Sequence, residues 1–86
     1  MEDLISAHGF CTNNMKQLAQ STRCGCFHCE KIFNPVEIHE WIPGEDTAVC
    51  PYCEIDAVIA EGVGIPITEE FLREMNLYWF GEQETL

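Results

Sequence analysis

Apolar side chains recur with helical spacing near the start of the chain. Met15, Leu18 and Ala19 stand at positions i, i+3 and i+4, which places them on one face of a helix. Thr12 or Asn13 precedes them and is suited to cap the first turn. The pattern predicts a first short helix.

A second helix is predicted from a start signal at Asn34. Asn at the N-cap, Pro35 at the first helical position and Glu37 at the third are residue types that favour a helix N-terminus. The Pro-Gly pair at 43–44 ends the pattern. The apolar face of this helix would consist of Ile38, Trp41 and Ile42.

The same spacing predicts two more helices in the second half of the chain. Ile55, Val58 and Ile59 mark a third helix, which the glycine-containing residues 62–66 end. A fourth helix begins after Thr68, and the acidic residues of its first turn suit the positive end of the helix dipole. Its apolar face would consist of Phe71, Leu72, Met75, Tyr78 and Trp79.

The chain is short for a domain that relies on its apolar core alone. It has 86 residues, of which 47% are hydrophobic, and this length allows one small domain. Such a domain buries only about 60% of its unfolded surface, so it usually needs a disulfide or a metal for stability. The six cysteines are the residues that can provide this additional stability.

Four of these cysteines form two C-x-x-C pairs separated by twenty residues, Cys26-Phe27-His28-Cys29 and Cys50-Pro51-Tyr52-Cys53. Each pair can present two thiolates to a metal, and two pairs supply the four corners of a tetrahedron. Four thiolates at this spacing are the shell of a structural Zn²⁺ site. We therefore predict structural zinc bound by Cys26, Cys29, Cys50 and Cys53.

Further residues leave the ligand set open. Cys24 lies two residues before Cys26 and can replace one of the ligands. His28 lies inside the first pair, and His8 with Cys11 has the spacing of a metal-ligating pair. A second site formed by His8, Cys11 and Cys24 is one alternative. Buried free thiols and an exposed His28 are the other.

These features together predict the fold class. We expect a small metal-stapled α+β domain, in which zinc-ribbon or treble-clef-like knuckles carry about four short helices. Two short strands, at residues 21–24 and 47–50, would each lead into a knuckle, and the third helix would begin directly at the second knuckle. A single zinc-binding domain would span residues 1–86. Its parts would be an N-terminal helical segment at 1–20, the zinc module at 21–61 and the C-terminal helix at 67–81.

Acidic residues outnumber basic ones by a wide margin. Fifteen Asp or Glu against four Lys or Arg give a formal net charge of −11, and four thiolates with one zinc ion take it to about −13. Phosphate backbones are bound mainly through Lys and Arg, so we expect no direct binding of nucleic acid. No apolar run reaches the roughly 18 residues of a membrane span, and the acidic N-terminus is unlike a signal peptide. We expect a cytoplasmic protein with no membrane contact.

The consecutive aromatic residues Tyr78, Trp79 and Phe80 cannot all face the same side of a helix. In one interpretation, Tyr78 and Trp79 cover the zinc module and Phe80 lies at a frayed end. In the other, this end of the C-terminal helix is a dimer or partner surface. The oligomeric state stays open.

The residues favour a non-enzymatic function. A shell of four thiolates has no open position for a substrate, and neither a Ser-His or Cys-His pair nor a glycine-rich phosphate loop is evident. We predict no catalytic or cofactor-binding residues. We expect an acidic adaptor or regulator that binds a basic partner protein.

Two other functions remain as alternatives. A charge near −13 suits an inhibitor that mimics nucleic acid and occupies a DNA- or RNA-binding enzyme, as small antidefence proteins do. The third is a thiol oxidoreductase using Cys50 and Cys53, because Cys-Pro-Tyr-Cys resembles the active-site motif of glutaredoxins. That motif lies near the N-terminus of the glutaredoxin fold, whereas here only thirty-three residues follow Cys53.

A resemblance to a known family rests on four segments: Cys24-Gly25-Cys26-Phe27-His28-Cys29, Ile32-Phe33-Asn34-Pro35-Val36-Glu37-Ile38, Asp46-Thr47-Ala48-Val49-Cys50-Pro51-Tyr52-Cys53 with Ile55-Asp56, and the stretch 66–80. Through them, the chain from about His8 onward resembles a widespread family of uncharacterised small bacterial proteins labelled only "cytoplasmic protein". The resemblance implies a bacterial or phage cytoplasmic origin and a zinc-ribbon module with two C-x-x-C pairs. It implies no activity and no catalytic residue.

Overall fold

The computed structural model describes residues 7–62 and 66–81 and consists of short strands and short helices. The helices are α1 (Met15–Ala19) and α2 (Glu69–Trp79), and single 3₁₀ turns lie at Gly9–Cys11 and Pro35–Glu37. The strands are β1 (Cys24–Cys26), β2 (Ile32–Phe33), β3 (Trp41–Ile42), β4 (Thr47–Ala48) and β5 (Val58–Ala60). The prediction of a small α+β domain is confirmed.

The strands form two antiparallel sheets. In the three-stranded sheet, β1 lies between β2 and β5, so that Gly25 stands opposite Ile32 on one side and Ile59 on the other. The second sheet is the hairpin of β3 and β4, in which Trp41 pairs with Ala48. The first cysteine pair lies in the turn between β1 and β2, and the second lies between β4 and β5.

Helix α2 packs directly on the central strand at Gly25. A Cβ atom at this position would lie 2.7 Å from Leu72 Cδ1 and 3.0 Å from Ile67 Cγ2. Leu72 and Met75 are completely buried on the inner face of the helix. Thr68 caps the helix, since its hydroxyl accepts a hydrogen bond of 3.0 Å from the Phe71 N–H. The predicted fourth helix is therefore confirmed.

A buried asparagine fastens the N-terminal segment to both sheets. Asn14 is only 1% exposed, and its Nδ2 donates to the carbonyl of Val58 at 2.7 Å and to that of Phe10 at 3.1 Å. Its Oδ1 accepts from the Ala48 N–H at 3.1 Å. The predicted first helix is confirmed as α1, but Asn14 takes the position before it and its side chain bonds elsewhere, so the expected cap at Thr12 or Asn13 is wrong.

The predicted second helix is wrong beyond its first turn. Asn34 does act as a helix cap, because its side chain accepts a hydrogen bond from the Val36 N–H at 2.9 Å. Only a single 3₁₀ turn follows it, however. Trp41 and Ile42 then form β3 rather than a helix face. The turn that returns the chain to β4 contains Asp46 with φ 53° and Gly44 with φ 82°, and pairing across this turn replaces helical hydrogen bonding.

The predicted third helix is also wrong. Val58 and Ile59 belong to β5, whose residues are all buried and pair with β1. A short apolar run fits a buried strand as well as a helix, and its β-branched residues pack well in a sheet. The strand expected at 21–24 is displaced to Cys24–Cys26, whereas the strand expected at 47–50 is confirmed over its first two residues, Thr47–Ala48. Two of the four predicted helices therefore exist as α-helices in the described chain.

Candidate metal centre

Four cysteine sulfurs converge between the two sheets. The Sγ atoms of Cys26, Cys29, Cys50 and Cys53 all lie within 4.8 Å of one another. The Sγ atoms of Cys26 and Cys53 are 3.6 Å apart, and those of Cys29 and Cys50 are 3.7 Å apart. A tetrahedron with metal–sulfur bonds of about 2.3 Å has edges of about 3.8 Å. The four predicted ligands can therefore hold a metal ion, and all of them are free thiols.

Each cysteine pair occupies a turn that is closed in the same way. The Cys26 N–H donates to the carbonyl of Lys31 at 3.0 Å, and the Cys50 N–H donates to the carbonyl of Ile55 at 3.0 Å. In both cases the partner lies five residues further along the chain. We call these turns the first knuckle (residues 26–31) and the second knuckle (residues 50–55). The repeated bond fixes the first cysteine of each knuckle.

The residue after each second cysteine completes this repeated geometry. Glu30 and Glu54 have φ angles of 65° and 66°, in the left-handed region. Their N–H groups donate to the carbonyls of Cys26 and Cys50 at 2.7 and 2.9 Å. The local resemblance of the two halves, both of which continue with Glu, thus corresponds to one shared backbone conformation. This conformation turns each pair of sulfurs toward the other pair.

Burial raises the pKa values of these thiols, whereas hydrogen bonds from backbone N–H groups lower them. Burial raises the pKa of Cys53 to about 11, and it raises that of Cys26 against the N–H donors of Cys29 and His28. At Cys50, burial is outweighed by the N–H groups of Tyr52 and Cys53, so its pKa is lowered. The Tyr52 N–H lies 3.4 Å from the Cys50 sulfur. Coordination to a divalent cation deprotonates such thiols and compensates for the burial of their charge.

The C-terminal part of α2 contacts the first knuckle. Asn76 Nδ2 donates to the carbonyls of Phe27 and His28 at 3.1 and 2.9 Å. The Phe80 ring lies 5.7 Å from the Phe27 ring and meets the His28 ring edge-on at 5.0 Å. The expectation that Phe80 lies at a frayed end is therefore wrong. Leu77 and Tyr78 are the exposed large apolar residues of this helix, and a dimer surface there stays a prediction.

Side-chain contacts of Tyr52 attach the second knuckle to the neighbouring segments of the chain. Its ring packs edge-on against Phe33 at 5.5 Å, and the Lys31 ammonium lies 4.8 Å from the ring centre. Its hydroxyl donates to the carboxylate of Glu37, which raises the pKa of Tyr52. These contacts connect the second knuckle to the strand that leaves the first.

The other candidate ligands are not part of the four-cysteine cluster. Cys24 is buried in β1, where burial and the neighbouring Cys50 raise its pKa to about 12. Cys11 is buried in the N-terminal turn. The His8 ring packs against the Trp79 ring in a tilted arrangement, with 4.1 Å between the ring centres, and His28 is exposed. Over residues 7–62 and 66–81, the four cysteines are the one group of such side chains close enough to share a metal, so the alternative second site is not formed.

The surroundings of Cys50 and Cys53 differ from those of a redox-active pair. Residues 51–53 form a turn, and the chain continues to β5. The pKa of Cys50 is lowered, as it is at the first cysteine of a redox-active C-x-x-C pair, but such a thiol commonly lies at a helix N-terminus. In this described segment a strand follows in place of that helix, so the geometry favours metal binding.

Acidic charge is spread over the surface. Within the described ranges, the ion pair is Arg23 Nε with Glu61 at 3.9 Å, and both side chains are about half exposed. The exposed carboxylates there are Glu37, Glu40, Glu45, Asp46, Glu54, Asp56, Glu69, Glu70 and Glu74. No helix of the described residues is long and apolar enough to cross a membrane.

Comparison with known proteins gives no assignment. No protein-family model matches the chain, and neither a curated protein nor a solved structure is significantly similar to it. The family resemblance of the sequence therefore stays a prediction.

Proposed function

We propose that this protein is a zinc-binding interaction module. One structural Zn²⁺ is held by Cys26, Cys29, Cys50 and Cys53. The observation that carries this proposal is the convergence of four sulfurs at separations near the edge of a zinc–thiolate tetrahedron. Four thiolates also bind iron, so the identity of the metal is the first point to test.

The arrangement of strands around the metal supports a zinc ribbon rather than a treble clef. The first knuckle joins β1 to β2, and the second is followed by β5, which pairs with β1. A treble clef has a helix after its second ligand pair, and here a strand takes that place. The metal would therefore connect the turn between β1 and β2 to the segment that joins the β3–β4 hairpin to β5.

The metal would supply much of the stability. Structural zinc contributes about 10–16 kcal/mol to small finger peptides near neutral pH, which equals or exceeds the whole stability of a typical domain. The closed shell leaves no position for a substrate, which favours a structural rather than a catalytic ion. The free thiols suit a reducing compartment such as the cytoplasm.

The metal test uses the full chain refolded with zinc, with cobalt or with iron. Elemental analysis of protein purified from cells should give zinc, and the cobalt form should show the visible absorption of tetrahedral thiolate ligation. Chelation should unfold the chain. Bound iron, or a folded chain that contains no metal, would contradict the zinc proposal.

The surface supports an acidic adaptor that binds a basic protein. A charge near −13 attracts basic partners over distances of about one Debye length, and many carboxylates are exposed on the surface. The same carboxylates favour a second candidate, an inhibitor that mimics nucleic acid.

A pull-down with the zinc-loaded chain at moderate salt separates these candidates. A basic partner that DNA does not displace supports the adaptor. A partner that binds nucleic acid and is displaced by DNA supports the mimic. Absence of any salt-sensitive partner contradicts both.

A further inference from the structure

An open groove lies between the β3–β4 hairpin and the second knuckle. Its volume is about 400 Å³, and its lining combines aliphatic and acidic side chains. The hairpin and its flanks contribute Glu40, Ile42 and Val49. The end of the second knuckle contributes Glu54 and Ile55, and Asp56 follows directly after it. The three aliphatic residues are half-buried, whereas all three carboxylates are exposed.

Backbone hydrogen bonds hold both walls of this groove. On the hairpin, the Val49 N–H donates to the carbonyl of Glu40 at 3.0 Å. On the knuckle, the Glu54 N–H donates to Cys50 and the Ile55 carbonyl accepts from Cys50, so this wall is part of the metal-binding turn. The groove is therefore formed before a partner arrives, which lowers the entropic cost of binding.

The charge of the groove is not neutralised within the described chain. Within the described residues, the ion pair joins Arg23 to Glu61, and neither of these residues lines the groove. Three carboxylates around an aliphatic floor are complementary to a side chain that has an apolar stem and a cationic end. Arginine and lysine have this form, since they lay the stem on apolar surface and keep the charge at its edge.

We propose that this groove binds a basic segment of a partner protein. The stem of an arginine or lysine lies on Ile42, Val49 and Ile55, and its cation meets the carboxylates of Glu40, Glu54 and Asp56. An aliphatic neighbour in the segment fills the remaining floor. This inference rests on the proposed acidic adaptor and names the part of its surface that selects the partner.

The test uses the zinc-loaded full chain and a short synthetic peptide of alternating arginine and leucine. A matched peptide carries citrulline, which is neutral and similar in shape, in place of each arginine. Amide chemical shifts are followed by NMR at moderate salt for the wild type and for two double variants. Glu40→Gln/Asp56→Asn removes two charges from the groove without altering a residue of the metal-binding turn, and Glu70→Gln/Glu74→Gln removes two charges from α2.

We expect the arginine peptide to shift the amides of the groove and the citrulline peptide to have little effect. The groove variant should weaken binding about fivefold, and the α2 variant less than about twofold. Zinc content and circular dichroism of both variants should match the wild type.

Equal weakening in both variants would overturn the groove while leaving an acidic adaptor in place. Equal binding of the citrulline peptide would overturn the cationic partner. Absence of any binding would overturn the groove and the basic-partner proposal together, without affecting zinc binding.

Discussion

Glu30 and Glu54 occupy equivalent positions in the two knuckles, and both have a left-handed backbone, with φ angles of 65° and 66°. Each donates its N–H to the carbonyl of the first cysteine in its knuckle. Residues other than glycine adopt this conformation at a cost of roughly 1–2 kcal/mol. The metal-binding turns therefore contain local strain at the same place in each half.

Replacement of Glu30 by glycine should relieve this strain. We expect Glu30→Gly to raise the free energy of unfolding of the zinc-loaded protein by about 0.5–1 kcal/mol, because part of the gain is lost to the greater freedom of glycine in the unfolded chain. Urea denaturation at fixed free zinc measures this change. Glu40→Gly is the control, since Glu40 is exposed and lies outside the left-handed region, and it should lower stability. A loss of stability in both variants would contradict the prediction.

Gly25 allows α2 to contact the central strand. Gly25→Ala should lower the free energy of unfolding by about 1–3 kcal/mol, because the added methyl group would overlap Leu72 and Ile67. Gly9→Ala provides the matched control, since no atom lies within 4 Å of its added Cβ, and it should change stability by less than about 0.5 kcal/mol. Equal thermal midpoints for the two variants would show that the contact is not tight.

Asn14 is the main polar connection inside the domain. Asn14→Ala should lower the free energy of unfolding by about 2–4 kcal/mol, because it leaves the Ala48 N–H and the Val58 carbonyl without their partner. Hydrogen exchange at the Ala48 amide should become faster in the variant. Gln20→Ala, at an exposed position, should change neither measurement. Unchanged exchange at Ala48 would contradict the assigned hydrogen bond.

Cys11 should make stability fall with pH in the alkaline range. Burial, assisted by the nearby Asp56, raises the pKa of Cys11 from 9.0 to about 11. Above about pH 9 the unfolded chain loses this proton while the folded chain keeps it, so the contribution of Cys11 to stability declines until about pH 11.

Urea unfolding of wild type and Cys11→Ala over this pH range tests the prediction. The difference in free energy of unfolding between the two proteins should shrink as the pH rises. A constant difference would show that the Cys11 thiol is not protected by the fold.

The metal ligands could be predicted from sequence because their spacing is local. Each C-x-x-C pair forms its own turn, whatever the rest of the chain does. The sequence did not separate Cys24 from Cys26, since the two lie only two residues apart, at opposite ends of one strand. What separates them is the hydrogen bond from the Cys26 N–H to Lys31, which begins the knuckle there, while Cys24 pairs with Phe33 and Ala60 inside the sheet.

The errors in the fold prediction have a common cause in strand pairing. Trp41 with Ile42, and Val58 with Ile59, have apolar spacing that suits either a helix or a strand. Val58 and Ile59 pair with Cys24–Cys26, a segment far away in sequence that local pattern does not reveal. Trp41 and Ile42 pair with Thr47–Ala48 across the turn at residues 43–46, where the Pro-Gly pair belongs to a hairpin turn rather than to the predicted helix end.

Asn14 could not be found for a similar reason. Its neighbours in sequence suggest a helix cap, whereas its bonds reach Val58 and Ala48, which lie 44 and 34 residues away.

We propose that one zinc ion is held by four of the cysteines and not by Cys11 or Cys24. The zinc content per chain of the six single Cys→Ser variants, purified and dialysed in parallel, tests this assignment. We expect about one zinc per chain in the wild type, Cys11→Ser and Cys24→Ser, and weakened or lost zinc in Cys26→Ser, Cys29→Ser, Cys50→Ser and Cys53→Ser. Loss of zinc in Cys24→Ser, or full retention in any of those four variants after chelator challenge, would contradict it.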